Sequence, residues 1–333
     1  MERILTSQSS LLQQHTQDET DRRAVKWLNA PDVWKNLRNA LAKKQPGTGD
    51  WFISSTTFKT WCSTPRLLWL TGIPGAGKTI LSSTIIGDLL CQEEKSPNAV
   101  VFSFFDFQNA SQQQPDSLLR SILMQLALSS PEALARLRQA YCDFAFGSRE
   151  LSTHSLLESV TAVLTLFPKV FVVVDALDEC SDRRPLLQHL KTLSDLPNVH
   201  LIALSRRERD IEIALEGAAH EVPLTAANVD MDIAMYIKHR IAESEDMRVW
   251  SPEDKKKVQD HLTSKAGGMF RWAQCQLDSL ESCCSSEEID EILASLPKDL
   301  HATYERILAR LDGRLAQNVR LILVALAFSK EVL

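Results

Sequence analysis

The chain has 333 residues, 44% of them apolar, which is enough for two or three domains with cores of their own. Its 37 basic and 43 acidic residues leave a net charge of −6, which excludes the electrostatic footprint of a nucleic-acid binder. Seven cysteines with no C-x-x-C spacing exclude a disulfide framework and a zinc site, and read as reduced thiols of a cytoplasmic protein. The first 20 residues are rich in Ser, Gln and Thr, lack a signal-peptide core, and read as loose chain or an exposed helix. Residues 21–45 follow as one helix with Val25, Leu28, Val33, Trp34, Leu37 and Leu41 on its buried side. Gln45-Pro46-Gly47-Thr48-Gly49-Asp50 breaks it. Trp51, Phe52, Phe58 and Trp61 then lead into a first strand at Leu67–Leu70, with the Phe58/Trp61 pair read as core rather than as a base-stacking platform.

Residues 72–79 read Gly-Ile-Pro-Gly-Ala-Gly-Lys-Thr, the G-x-x-x-x-G-K-[ST] pattern, set after that strand and before the helical pattern of Ile80, Leu81, Ile85, Ile86, Leu89 and Leu90. Chance produces such a pattern in roughly one per cent of chains this long. Glycines let backbone N–H groups turn inward onto phosphate oxygens, and the helix that begins near Lys78 adds the positive end of its dipole. The phosphate-binding residues are therefore Gly72, Pro74, Gly75, Ala76, Gly77, Lys78, Thr79 and Ile80. Lys78 reaches the β- and γ-phosphates, and the Thr79 hydroxyl holds Mg²⁺.

Further along, Ala99–Phe105, Val170–Val174 and Val199–Leu204 are continuous apolar runs, read as strands buried on both faces. Helical patterns lie between them at 118–126, after the Ser130-Pro131 start, and at 155–167. Alternating strands and helices predict an α/β fold: a three-layer parallel sheet with helices on both faces. Strands cease after about Val222, and helices are expected at 229–242, 252–265, 269–281, 286–296, 299–311 and 316–328. The longest apolar stretch, Leu321–Phe328, is far short of a membrane span.

The strand at 170–174 delivers Asp175, followed by Ala-Leu-Asp-Glu. Ligands of open α/β sheets lie at the carboxyl ends of the strands, so Asp175 is placed to hold Mg²⁺. Glu179 is the first choice for orienting or deprotonating an attacking water, and Asp178 the second. Helix capping is the alternative role for this acidic cluster. The strand at 199–204 runs into Ser205-Arg206-Arg207. An arginine there can stabilise charge developing on a phosphoryl group, and position favours Arg206 over Arg207; a plain surface arginine is the alternative.

These elements resemble the NACHT branch of the signal-transduction P-loop NTPases, in particular the nephrocystin 3-like N-terminal domain of fungal receptor-like (NLR-like) proteins. Gly47-Thr48-Gly49-Asp50-Trp51-Phe52 looks like that family's lead-in, Asp175–Cys180 like its acidic box, and Ser205-Arg206 like its sensor position. Gly267-Gly268-Met269-Phe270-Arg271-Trp272-Ala273 and Leu296–Leu308 resemble its helical segment and the entry to its winged helix. The resemblance implies an N-terminal helical lead at 1–46, a NACHT-like domain at 47–222, a helical domain at 223–284 and the start of a truncated winged-helix region at 285–333. The apolar helix of Leu321–Leu326 needs something to pack on, so the chain is expected to be a fragment of a longer receptor or to end in an incomplete small domain. It further implies an ATP/ADP switch with Mg²⁺, weak hydrolysis and self-association on activation. Full-length relatives are expected to carry C-terminal repeats, which this sequence lacks. A non-catalytic, nucleotide-stabilised interaction module is the main alternative; an AAA-type remodeller and a small-molecule kinase are further ones. GTP is disfavoured because no N-K-x-D base-reading motif occurs.

Overall fold

The computed structural model describes residues 19–92, 96–144, 151–309, 311 and 313–328. The polar stretch up to residue 18 lies outside the described residues. The chain divides into two compact units: one of Met1–Lys44, Asp50–Thr71 and Lys78–Pro223, the other of Gln45–Gly49, Gly72–Gly77 and Leu224–Leu333.

The described part of the first unit opens with α1 (Glu19–Leu28) and α2 (Val33–Lys43), so the single helix expected over 21–45 is divided. Asn29 takes a left-handed φ of 48°, Pro31 follows, and Asp32 caps α2 by accepting from the Lys35 N–H at 3.2 Å. A left-handed residue ends one helix, and a proline followed by an Asx cap starts the next. Then come α3 (Asp50–Ile53), α4 (Thr56–Ser63), β1 (Leu67–Thr71), α5 (Lys78–Gln92), β2 (Ala99–Phe104), α6 (Ala110–Gln113), α7 (Asp116–Ser129), α8 (Pro131–Asp143) and α9 (Thr153–Leu164). The unit closes with β3 (Val170–Asp175), α10 (Arg183–Ser194), β4 (Val199–Ser205), α11 (Arg209–Leu215) and β5 (Ala219–Pro223).

The five strands pair in parallel in the order β2-β3-β4-β1-β5. Strands β1, β3 and β4 are buried along their full length, which explains their unbroken apolar runs. Strand β5, Ala-His-Glu-Val-Pro, has no such run because it pairs on one side only and ends in proline. Alternating side chains supply two cores. Leu67, Val101, Val172 and Leu201 join Ile122 of α7 and Leu190 of α10 in one continuous cluster. On the other face Trp61 lies against Phe171 at 5.3 Å and meets His200 edge-on at 5.9 Å, while Trp34 meets Phe102 at 4.8 Å. Phe58 and Trp61 are core residues, and burying a side chain such as Phe58 contributes about 1.5–3 kcal/mol. The result is an α/β P-loop sheet with helices on both faces, followed in sequence by a helical region.

Helices α12 (Ala226–Glu243), α13 (Pro252–Lys265), α14 (Phe270–Leu280), α15 (Ser286–Ala294), α16 (Leu300–Ala309) and α17 (Gly313–Phe328) belong to the second unit. Ser251 caps α13 by accepting from the Asp254 N–H at 3.1 Å, with Pro252 in the first turn. Ile233, Ile237, Val258, Leu262, Trp272 and Leu277 are fully buried in it. Among the described residues no helix is long and apolar enough to cross a membrane.

Candidate phosphate-binding site

Register explains how residues far apart in sequence meet. Parallel pairing sets Thr71 beside Ser205, and Phe104 beside Asp175, so β1, β4, β3 and β2 all present their carboxyl ends along one edge. Lys78 and Thr79, the first residues of α5, meet Asp175 at that edge, with a hydrogen bond between the Thr79 and Asp175 side chains. Burial, only partly offset by Thr79 and then by Lys78, pushes the Asp175 carboxyl up to about 7. Burial also lowers the Lys78 pKa, against the raising influence of Asp178 and Asp175. The other Asp175 oxygen, Oδ1, is buried with no hydrogen-bond partner. Buried carboxylate oxygens are normally satisfied, and a carboxylate beside a hydroxyl is a donor set that Mg²⁺ accepts together with phosphate oxygens. Thr79 and Asp175 therefore fit that ion. Among the described residues no group of three His, Cys, Asp or Glu side chains converges as a metal site, so phosphate and water must complete any such coordination.

After Asp175 the chain turns sharply. Ala176 adopts φ 60° and ψ 48°, a left-handed conformation that costs an L-residue roughly 1–2 kcal/mol, and a short 3₁₀ turn, Leu177–Glu179, follows. The turn directs the two other acids to separate partners. Asp178 accepts the Arg206 N–H at 2.9 Å and pairs with Arg206 Nε at 3.2 Å, clasping the end of β3 to the end of β4. Glu179 accepts the Phe107 N–H at 3.1 Å from the loop after β2, and burial raises its pKa against that bond. All three acids and Arg206 thus lie within electrostatic reach of Lys78.

Arg207 turns elsewhere. It bonds Glu212 at 2.6 Å and Glu221 of β5 at 3.4 Å, and Glu221 also accepts from Thr71 at 2.9 Å. Ser205 accepts from Trp69 Nε1 at 2.8 Å. The parts played by Phe107, Glu221 and Trp69 had no sequence signal, because each depends on which strand lies beside which.

The remaining loop residues, Gly72, Pro74, Gly75, Ala76 and Gly77, group with the second unit. Gly75 and Gly77 have φ of +76° and +82°, a left-handed backbone that favours glycine. The Arg271 N–H donates to Gly75 O at 3.4 Å, and Phe270 ring carbons lie 3.2 Å from where a Gly77 Cβ would stand. Ile80, in the first turn of α5, accepts from Ser83 and Thr84 hydroxyls through its carbonyl.

A parallel sheet with a G-x-x-x-x-G-K-T loop after β1 and an acid at the end of β3 defines a P-loop NTPase-like fold. Residues 47–206 match the family described as Nephrocystin 3, N-terminal, and the chain is NACHT-like. It is 26% identical over 294 residues to the vegetative incompatibility protein HET-E-1 of Podospora anserina, which covers 83% of this chain. The chain spans about a fifth (21%) of that relative's length. Among solved structures, it is similar to C. elegans PCH-2 (TM-score 0.41, 16% identity, 90% of this chain and 72% of that one). It is also similar to Drosophila ORC bound to DNA (TM-score 0.42, 11% identity, 90% of this chain and 70% of that one).

Proposed function

We propose that this chain is the nucleotide-dependent switch module of a cytoplasmic signalling NTPase. It binds ATP or ADP with Mg²⁺, hydrolyses slowly, and self-associates when the bound nucleotide changes. The observation that carries this reading is the orphaned Asp175 oxygen, buried beside the Thr79 hydroxyl and the Lys78 ammonium at the start of α5. Lys78 and the amides of the 72–79 loop hold the polyphosphate, and Thr79 and Asp175 hold the metal. Bound Mg²⁺ supplies neutralisation of the phosphate oxygens. On this reading 47–222 is the nucleotide-binding domain, 223–284 a helical domain and 285–333 the start of a winged-helix region. A nearly complete switch requires about 5.5 kcal/mol of differential affinity between two states.

Both candidate water-activating acids are already engaged, Asp178 by Arg206 and Glu179 by the Phe107 N–H. This favours slow turnover. It also supports a second reading, a module that holds nucleotide without hydrolysing it. One experiment addresses both. Nucleotide released from denatured protein is identified by chromatography, and affinity and hydrolysis are then measured for wild type, Lys78→Ala and Glu179→Gln. Lys78→Ala is expected to weaken binding about 10–100-fold, the scale of losing one charge-assisted phosphate contact. Unchanged binding in Lys78→Ala would falsify the proposal. Glu179→Gln is expected to bind normally and lose residual hydrolysis; hydrolysis already absent in wild type selects the second reading.

A further inference from the structure

Gln112 and Gln113 close α6, a single helical turn after β2, and their side chains bond to different neighbours within the first unit. Gln112, 2% exposed, donates through Nε2 to Asn36 Oδ1 of α2 at 2.9 Å. Gln113 serves the turn that carries the acids after β3. Its Nε2 donates to Phe107 O, and its own carbonyl accepts the Ser181 N–H at 2.9 Å and the Ser181 hydroxyl at 3.0 Å. The Phe107 N–H in turn holds Glu179 at 3.1 Å. Glu179, Phe107, Gln113 and Ser181 thereby form a closed ring, and Asn36 pins it from outside through Gln112. Helix α2 is itself seated, with Trp34 edge-on to Phe102 of β2 at 4.8 Å. One turn of helix does not hold its own shape, because nucleation is costly, so α6 keeps its place through these side-chain bonds. A buried amide that loses its partner pays its full desolvation, which ties Gln112 to α2. The Phe107 bond lowers the Glu179 pKa against its burial, so the carboxylate is a weaker base while it is held.

We infer that α2 is a brake on hydrolysis: seated, it fixes α6 through Asn36 and Gln112, and the ring keeps Glu179 on the Phe107 N–H; lifted, it lets Glu179 turn to the attacking water. This rests on the nucleotide-binding reading above and supplies the regulation of that site. In the step held back, the water oxygen bonds to the γ-phosphorus as the bond to the β,γ-bridging oxygen breaks, and that oxygen keeps the electron pair on ADP. Glu179 takes the water proton and returns it to solvent. A pull on the helices that precede the sheet thus reaches Glu179 without touching the phosphate loop.

The test compares the full chain with Asn36→Ala, Gln113→Ala and the double variant, and uses Lys78→Ala as the control for nucleotide binding. Measured are kcat and KM for Mg-ATP, the affinity for ADP, and hydrogen–deuterium exchange of peptides covering 105–113 and 177–182. Asn36→Ala is expected to raise kcat about 3–10-fold, the scale of one hydrogen bond, with KM and ADP affinity unchanged, and to speed exchange in both peptides. The double variant is expected to match Gln113→Ala, since both changes act through one ring. A merely structural contact lowers the melting temperature and leaves kcat and the exchange of 177–182 as in wild type, which overturns the inference. A fall in kcat, or additive gains in the double variant, overturns it as well. Nucleotide binding that is normal in wild type and lost in Lys78→Ala, with kcat unmoved in Asn36→Ala, overturns the inference alone. Failure of wild type to bind nucleotide overturns the brake and the nucleotide reading together.

Discussion

His189 of α10 is buried, and among the described residues neither of its ring nitrogens has a hydrogen-bond partner. Desolvation holds its pKa below the ordinary 6.5, with the Asp116 carboxylate at 3.9 Å opposing only in part. The unfolded chain therefore binds a proton at a pH where the folded chain refuses one. Stability is then complete above about 6.5 and falls as pH drops below it, with protons driving unfolding. His200, bonded to Trp61 O and also lowered by burial, adds to the same trend. Denaturant midpoints of wild type and His189→Met between pH 7.5 and 5 test this. The variant is expected to lose less stability over that range. Equal slopes for the two proteins would show that His189 is not the proton acceptor.

Two turns reach the left-handed region by different means. Gly75, at φ +76°, has no side chain, and Arg271 occupies the space where one would go. Gly75→Ala meets both backbone strain and a 2.8 Å clash with a Cβ that cannot swing aside. Its expected cost is more than the roughly 1–2 kcal/mol of the conformation alone. Ala176 already carries that strain at φ 60° in the turn between β3 and the acids. Ala176→Gly is therefore expected to stabilise the chain by up to about 1 kcal/mol, less what the freer glycine loses on folding. Thermal melts of the two variants should move in opposite directions; a stabilised Gly75→Ala would mean that the loop does not hold this conformation in solution. Strain kept at Ala176 is in keeping with the role of the turn, which separates Asp175 from Asp178 and sends each to a different partner.

Across the molecule, exposed apolar surface is concentrated in the last described helices. Leu321, Ile322, Leu323, Val324 and Leu326 of α17 are each at least 46% exposed, and Tyr304, Ile307 and Leu308 of α16 are at least 40% exposed. Contiguous patches of this kind bind hydrophobic dyes and promote association. Leu321→Glu with Val324→Glu is expected to reduce dye fluorescence severalfold and to lower light scattering at high protein concentration. Unchanged fluorescence would mean that α17 is covered in solution.

Much of the molecule was legible in the linear chain. The glycine-rich loop between β1 and α5, the Asp175 strand end, the Ser130 and Ser251 caps and the fully buried strands depend on residues adjacent in sequence, whose spacing shows which groups a short segment can offer. The sequence alone therefore determined that Lys78 and Thr79 begin a helix after a buried strand, and that Asp175 ends another. Tertiary structure alone decided that β4 lies between β3 and β1, so that Asp178 closes on Arg206, that Glu179 reaches the Phe107 N–H, and that Arg271 comes to rest on Gly75. Those partners are set by long-range packing of apolar faces, which many chain orders satisfy equally well in local pattern and only one in three dimensions.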